Sequence, residues 1–519
     1  MKDEASSKMK KNNSLFQTAL MVSVLTVIGK LLGFGRDAVI AAYYGATSET
    51  DAYFFANAMP GTLFPAVCSS LSVAFTSIYI KRFAEEDKGA SDRYASRMLI
   101  GTSIIGIVLG LVGIVIAPIF VPLIAVGFEG SQLALAIQLT ELTMGSFVLL
   151  MLQYMLCAVL NSKKIFVAPQ IAGVLYNIVI IAVTVGLGRS QNMEVLTLTT
   201  VGALGVQVVV LVLFCYKKLR FSVQLKGILT EMKQLLLLAL PILLGNSVVQ
   251  INSIVEKALG SGLSEGALSA LNYANTLNSV VTGVFIMSIS TVLFPTLTMD
   301  ATSGNMEKYG KTLSKGLNLL SIILIPISCI TLIDAKEIVT IVFARGSFSE
   351  AAVVLTSTVL MCVAPRFVFY GICETLTKGF YAVQDTKSPM KNSTIGVLFN
   401  IVFSLIFVRW LGIVGIALGT TLSIVLRTIL LFHDAKKRLP DVSFGGLVKS
   451  VGKQMIAGFM VIVLLVGFHS LVEIVMPLLC FMVDTVIGVT IYFVIVWLFD
   501  VDDVRQVIGS AIKKVRRGK

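Results

Sequence analysis

The sequence predicts an all-α integral membrane protein of about fourteen transmembrane helices: two parallel-repeat six-helix lobes plus two extra C-terminal helices. Three observations predict it: the excess of apolar residues, the alternation of basic residues between apolar runs, and an internal repeat. Of 519 residues 56% are hydrophobic and 14% charged, with a mean hydropathy of +0.89, whereas soluble domains carry roughly 25% charged residues. At about 20 apolar residues per span, the hydrophobic fraction suffices for roughly fourteen spans. No sizeable water-soluble domain fits.

Apolar runs bounded by polar or basic breaks place the spans in order. A polar, lysine-rich tail, residues 1–13, precedes a run near 14–42 that lacks a small-residue cleavage site, so it reads as a retained helix. The next runs lie near 52–80, ending at Lys81 and Arg82, and near 98–118, starting after Arg97. Lys163 and Lys164 then separate 135–160 from 166–188, and Lys217 and Lys218 close 196–216. The series continues with 234–258 after Lys233, 267–298, 316–334 after Lys315, and 352–382. Last come 393–408 after Lys391, 412–433 before Lys436, 454–470 after Lys453, and 477–499 before a basic tail. Thirty-two of the 42 basic residues lie on one side of this arrangement; only Arg189, Lys336, Arg345 and Arg409 lie on the other. By the positive-inside rule both termini are cytoplasmic and the helix count is even.

The formal charge of +13 therefore belongs to loops, not to the basic face of a nucleic-acid-binding module. All seven cysteines fall in apolar runs without a CxxC pair, which reads as buried small hydrophobes rather than disulfides or metal ligands.

The run GVLYNIV at 173–179 recurs as GVLFNIV at 396–402, an offset of 223 that also pairs Lys164 with Lys387. YFFAN at 53–57 is echoed by YAN at 273–275, an offset of 218 measured on Asn57 and Asn275. Helices one to six thus look duplicated as seven to twelve with the same orientation. Parallel repeats of this kind belong to transporters, whose substrate sites lie between the halves near mid-membrane. The expected divisions are an N-terminal tail 1–13, an N-lobe 14–225, a C-lobe 226–440, a helix pair 441–500 and a basic tail 501–519.

Six basic residues remain inside spans: Lys30, Arg36, Lys257, Arg366, Lys378 and Arg427. An Arg or Lys at a helix centre costs about 2.5–3.5 kcal/mol on insertion scales, so something must offset it. Lys30 and Arg36 flank GKLLGFGRD, whose glycines weaken the helix and admit close partners. Two readings stand: a cationic lining for an anionic substrate, or local pairing of Arg36 with Asp37 or Asp51 that anchors a broken helix. Lys257 beside Glu256 occupies the repeat-equivalent stretch, either as a ligand or as a helix-end charge cluster. Arg366 and Glu374, two turns apart, share a face and suit an ion-pair network or a gate. Lys378 and Arg427 lie nearer helix ends, where they can snorkel.

No enzyme motif emerges. His433 and His469 are the only histidines and form no H-E-x-x-H pair, and no G-x-x-x-x-G-K-[ST] loop occurs. The chain is read as a non-enzyme.

The segment LLGFGRDAVIAAYYGATSETDAYFFANAMP, residues 31–60, resembles the N-terminal signature of the MurJ (MviN) lipid II flippases, within the multidrug/oligosaccharidyl-lipid/polysaccharide (MOP) exporter superfamily. PQIAGVLYNIV from Pro169, LNYAN from Leu271, FARGSFSEAA from Phe343 and GFYAVQDTKSP from Gly379 follow in family order, so the resemblance covers nearly the whole chain. It implies a bacterial cytoplasmic-membrane flippase that passes undecaprenyl-pyrophosphate-linked peptidoglycan precursor to the outer leaflet by alternating access. Helices thirteen and fourteen would form a groove for the lipid tail. Cavity arginines of the family's first helix map onto Lys30 and Arg36, but two others do not carry over: Gly61-Thr62-Leu63-Phe64-Pro65 and Thr276 stand in their stretches. The resemblance further implies a sodium site at Glu256, Asn400 and Thr420, although Ser404 replaces a carboxylate. Na+ as coupling ion is the sole cofactor expectation.

The candidate substrate residues are Lys30, Arg36, Asp37, Asp51, Asn57, Lys257, Asn275, Arg366 and Glu374. Expected partners are the undecaprenyl-linked precursor, membrane lipids and cell-wall synthesis proteins, without nucleic acid. Three alternatives stay open: a flippase for another undecaprenyl-linked oligosaccharide, a cation-coupled drug antiporter, and a non-transporting scaffold.

Overall fold

The computed structural model describes residues 2–85, 88–188, 192–216, 218–224, 226–439, 444–471 and 476–500. The C-terminal tail 501–519, Arg189, Lys217 and the side chains of Gly61, Thr62 and Leu63 lie outside the described residues. Nineteen α-helices and no strands are present among the described residues. The chain divides into two compact units, Met1–Ser269 and Ala270–Lys519.

The first unit holds α1 (Lys2–Tyr44), α2 (Ser48–Leu63), α3 (Pro65–Glu85), α4 (Lys88–Ile124), α5 (Gly130–Gly145), α6 (Phe147–Ser162), α7 (Val167–Leu187), α8 (Met193–Tyr216) and α9 (Ile228–Ser261). Helix α7 packs between α1 and α8, α5 packs on α2 and α4, and α3 on α6 and α9. The helix expected from residue 14 begins at Lys2. Two spans expected as single helices are each two helices, α2 with α3 and α5 with α6, joined at Phe64 and Ser146. Pro65 explains the first break, because a proline inside a helix removes one hydrogen bond and crowds the preceding turn. On α4, Val115, Ile119 and Leu123 stand 74%, 64% and 72% exposed at four-residue spacing. In water that stripe would aggregate; in a bilayer it meets lipid.

Helix α9 lies in this unit, although the expected C-lobe starts at 226. Glu231 in its first turn accepts from Arg82 at 2.7 Å and from Arg97 at 2.9 Å, and the Arg82 guanidinium lies 4.6 Å over Tyr94. Met232, Leu235 and Ala239 then join the core of α3, α4 and α6.

The second unit contains α10 (Ala267–Val281), a π-helical turn (Thr282–Ile286), α11 (Met287–Thr302), α12 (Met306–Ile333), α13 (Ala335–Phe343), α14 (Glu350–Val363), α15 (Arg366–Ala382), α16 (Lys387–Leu411), α17 (Ile413–Arg438), α18 (Phe444–Leu471) and α19 (Pro477–Leu498). Helix α12 is its hub, against α11, α15 and α18, while α16 lies along α17. The span expected at 352–382 is α14 and α15, bent by 41° beside Pro365. Helix α13 was not expected; nine residues long, it buries Ala335, Val339 and Phe343 on one face. Eleven helical segments are long and apolar enough to cross a membrane, twelve with the bent pair taken as one span. The expected fourteen would need α1 and α9 as well, and these are the helices that carry Lys30, Arg36, Glu256 and Lys257.

The duplication is visible inside each unit. Phe55 meets Phe128 edge-to-face at 5.6 Å, and Tyr273 meets Phe348 in the same way at 5.6 Å. Phe55 and Tyr273 stand at the 218 offset already seen for the asparagines. The turn after α6 puts Lys164 at φ 62°, and the turn after α15 puts Gln384 at φ 62°. The backbone closures agree: Ile165 N–H donates to Leu160 and Asp385 N–H to Phe380. Lys164 therefore corresponds to Gln384, an offset of 220, and not to Lys387. Three extra residues, nearly one helical turn, enter α16 before the repeated motif.

Two outcomes are expected. A Cβ on Gly415 would lie 2.4 Å from the Phe407 carbonyl oxygen, and backbone cannot yield as a side chain can. Gly415→Ala is therefore expected to destabilise by about 1–3 kcal/mol, read as a lower Tm in detergent. At the α15–α16 turn, burial alone would raise the Asp385 carboxyl, but bonds from the Ser388 hydroxyl and amide and from Arg438 hold it below the ordinary carboxylate value. A depressed carboxylate stabilises the fold above its unfolded pKa, and that contribution is lost as pH falls through the folded value. Asp385→Asn should thus lower Tm at neutral pH, with the gap to wild type closing only as pH falls below the ordinary carboxylate value.

Candidate functional site

A polar cluster sits where α1, α2, α7 and α8 of the first unit converge. Helix α1 runs unbroken through Gly29–Asp37, so its glycines serve close packing rather than a break. A Cβ on Gly33 would stand 3.7 Å from the Asn177 side-chain oxygen of α7. Asn177 uses that proximity. Its Nδ2 donates to the Gly29 carbonyl at 3.4 Å and to Gly173 at 3.1 Å, while its Oδ1 accepts from Arg36 Nη1 at 3.3 Å. Arg36 Nε and Nη2 both reach Asp37 Oδ1, at 2.9 and 2.8 Å, and its guanidinium lies 6.0 Å from the centre of the Tyr176 ring. The local pairing with Asp37 is thus what the structure contains, and it offsets one charge. Lys30, half-buried, has no hydrogen bond or ion pair among the described residues.

Tyr176 also lines a cavity of about 230 Å³ with Asn57, Gln153, Thr200 and Gln207. Its wall is held by the 2.9 Å bond between the Tyr53 and Thr200 hydroxyls and by Asn57, which donates to the Tyr53 carbonyl at 3.1 Å. The chamber offers hydroxyls and amides beside one guanidinium inside otherwise apolar helices. Such a surface suits an oxygen-rich anionic group.

Asp51 has another job. Its Oδ1 accepts from the Ser269 amide at 2.7 Å and hydroxyl at 2.6 Å, tying the start of α2 to the last residue of the first unit. Lys257 lies within electrostatic reach of Glu256 and Asp51, and Glu256 accepts from Asn252 at 2.9 Å.

In the second unit Tyr370 has Glu374, Arg366 and Arg427 as its charged neighbours. The Arg366 guanidinium lies 5.9 Å from the Tyr370 ring centre. Glu374 pairs with Lys378 at 3.4 Å, one turn along. Arg427 and Lys378, expected to snorkel, turn inward instead. Gly396 makes room for the first, its absent Cβ falling 3.3 Å from Arg427 Cβ, and Glu374 with the Phe294 and Tyr381 rings holds the second. Asn275 is half-buried on α10. Asn400 Oδ1 accepts from Ser404 at 3.1 Å, and Ser404 packs on Gly419, next to Thr420, whose hydroxyl donates to Ile416. Glu256 belongs to the first unit and these three to the second.

Sequence reasoning missed Asn177, Tyr176 and Arg427 as site residues. The first two were in view as part of the repeated motif; a buried amide kept in both copies, Asn177 and Asn400, was the usable signal.

A family model described as "Lipid II flippase MurJ" matches residues 40–484. A probable lipid II flippase MurJ of Vibrio cholerae is 28% identical over 444 residues, 81% of this chain and 82% of that protein. The lipid II flippase MurJ of Burkholderia cenocepacia is 27% identical over 447 residues, covering 82% of this chain and 84% of the relative. Among solved structures, a lipid II flippase MurJ in an inward closed conformation superposes with TM-score 0.78 at 24% identity, over 92% of this chain and 98% of that one. An inward-facing multidrug resistance MATE family transporter of the MOP superfamily gives 0.67 at 15% identity, over 81% and 98%.

Asn177→Leu removes three hydrogen bonds and crowds Gly33. It is expected to cost about 1–3 kcal/mol, seen as a lower Tm, whereas Asn177→Asp, which keeps the acceptor for Arg36, should lose less.

Proposed function

The chain belongs to the lipid II flippase MurJ family, and on that premise we propose that it carries lipid II from the cytoplasmic to the outer leaflet of a bacterial cytoplasmic membrane. It is a multi-pass transporter, not an enzyme. The observation that carries the reading is the Arg36–Tyr176–Asn177 cluster, whose Tyr176 lines a cavity with Asn57, Gln153, Thr200 and Gln207, in a chain matched to the family over residues 40–484. A pyrophosphate cannot enter hydrocarbon unaided, and hydroxyls, amides and a neighbouring guanidinium can substitute for its water. Lys30, which lacks an acidic partner among the described residues, is the cation most available to it, with Arg36 as second donor. Arg366 and Arg427 around Tyr370 offer further positive charge within the second unit.

Alternating access by two six-helix lobes, with residues 441–500 holding the lipid tail, completes the scheme. The distribution of basic residues supports a cytoplasmic location for both termini. Outward movement of negative charge from a negative cell interior gains about 2.3 kcal/mol per charge per 100 mV, so potential can drive export. Sodium coupling is the second reading of the energetics, motivated by the oxygens of Asn400, Ser404 and Thr420 on the packed helices α16 and α17.

Rescue of a bacterium depleted of its lipid II flippase tests this. Wild type should restore growth, and the Lys30→Ala, Arg36→Ala double variant should reduce translocation roughly tenfold or more, the equivalent of about 1.4 kcal/mol. Unimpaired rescue by the correctly inserted double variant removes the assigned role. Failure of wild type, with rescue of a strain lacking another undecaprenyl-linked oligosaccharide flippase, transfers the cargo to that class.

A further inference from the structure

One cluster in the second unit has no part in that scheme. Asp334 occupies the corner between α12 and α13, His469 the last turn of α18, and Cys480 and Asp484 the first two turns of α19. One donor atom from each, two carboxylate oxygens, an imidazole nitrogen and a sulfur, lies within 4.8 Å of every other. The sulfur is 3.7 Å from His469 Nε2 and 3.4 Å from Asp484 Oδ2, and His469 Nε2 is 2.6 Å from Asp484 Oδ2.

Both carboxylates are fully buried, and three of their oxygens, Asp334 Oδ1 and Oδ2 and Asp484 Oδ1, have no hydrogen-bond partner among the described residues. Two unsolvated carboxyls with Glu337 close by either hold a proton or take a compensating positive charge. The described surroundings provide only the half-buried His469, already bonded to Asp484.

We propose that Asp334, His469, Cys480 and Asp484 form a zinc site that clamps the α18–α19 pair to the α12–α13 corner. Tetrahedral zinc takes sulfur at about 2.3 Å and nitrogen or oxygen at about 2.0–2.2 Å, which separates donor atoms by roughly 3.3–3.8 Å. The 3.7 Å between the sulfur and His469 Nε2 already falls there. The shorter His469–Asp484 pair is a hydrogen bond that gives way when the ion arrives, with Asp484 offering its unpartnered Oδ1. Zinc binding displaces the thiol proton and any proton held by the carboxyls. Magnesium, which prefers six oxygens, does not suit a donor set with sulfur and nitrogen.

Cys480, read from sequence as an inert buried thiol, thereby becomes a ligand. The reason is tertiary: His469 and Asp334 reach it from other helices.

The test uses the full chain, purified in detergent with a histidine-free tag and stripped by a chelator. Zinc content by elemental mass spectrometry should return to about one per chain, Tm should rise with zinc but not magnesium, and cobalt should give a thiolate charge-transfer band. His469→Ala and Cys480→Ser should each weaken zinc binding at least tenfold and abolish the Tm rise, and Cys480→Ser should remove the cobalt band. His469 is partly exposed, so its truncation tests the site even if a change at buried Asp484 prevents folding. Wild type that retains no more zinc than the His469→Ala, Cys480→Ser double variant, or a Tm rise that survives both substitutions, overturns the proposal.

Discussion

A charge carried on a helix through hydrocarbon has to be balanced from inside the protein, and that requirement organises much of this molecule. Arg36 is balanced by Asp37 and Asn177, Glu231 by Arg82 and Arg97, and Lys378 by Glu374. The contacts that join different helices, Arg36 to Asn177 and Glu231 to Arg82 and Arg97, set how closely those helices approach. Where the partner is distant in sequence, the approach depends on glycine: Gly33 admits Asn177 and Gly396 admits Arg427. Apolar packing supplies most of the buried area, but the polar contacts choose the register.

The same requirement links fold to transport. A cation fully neutralised within the protein has little to offer a diphosphate, and one left bare is expensive to hold. The first unit holds both kinds less than two turns apart on α1, Arg36 with its carboxylate and Lys30 without one among the described residues. On the proposed reading an anionic cargo would supply the missing charge, and binding energy would arise from relieving a cost already present in the unloaded protein.

The duplication supports this without copying it. The aromatic pairs Phe55–Phe128 and Tyr273–Phe348 and the left-handed turns at Lys164 and Gln384 preserve the scaffold in each half. The charges differ. Arg36 has no arginine counterpart at the matching depth of α9, where Glu256 and Lys257 stand instead, while Arg366 and Arg427 gather around Tyr370. The scaffold positions were kept by packing; the ionisable ones diverged with their tasks.

The sequence by itself determined the all-helical membrane class, most span positions and the duplication, because hydropathy, loop charge and self-similarity are properties of contiguous residues. It also located Lys30, Arg36, Arg366 and Glu374. Only the tertiary structure decided which partner each charge meets. Asn177 reaches Gly29 across 148 residues, Asp51 is taken by Ser269 across 218, and Asp334, His469 and Cys480 converge from separate helices. The breaks at Phe64, Ser146 and Ala364–Pro365, and the short amphipathic α13, were likewise hidden within apolar runs. A bend leaves hydropathy unchanged, and a distant contact leaves no local trace; both are settled by the helices that pack alongside.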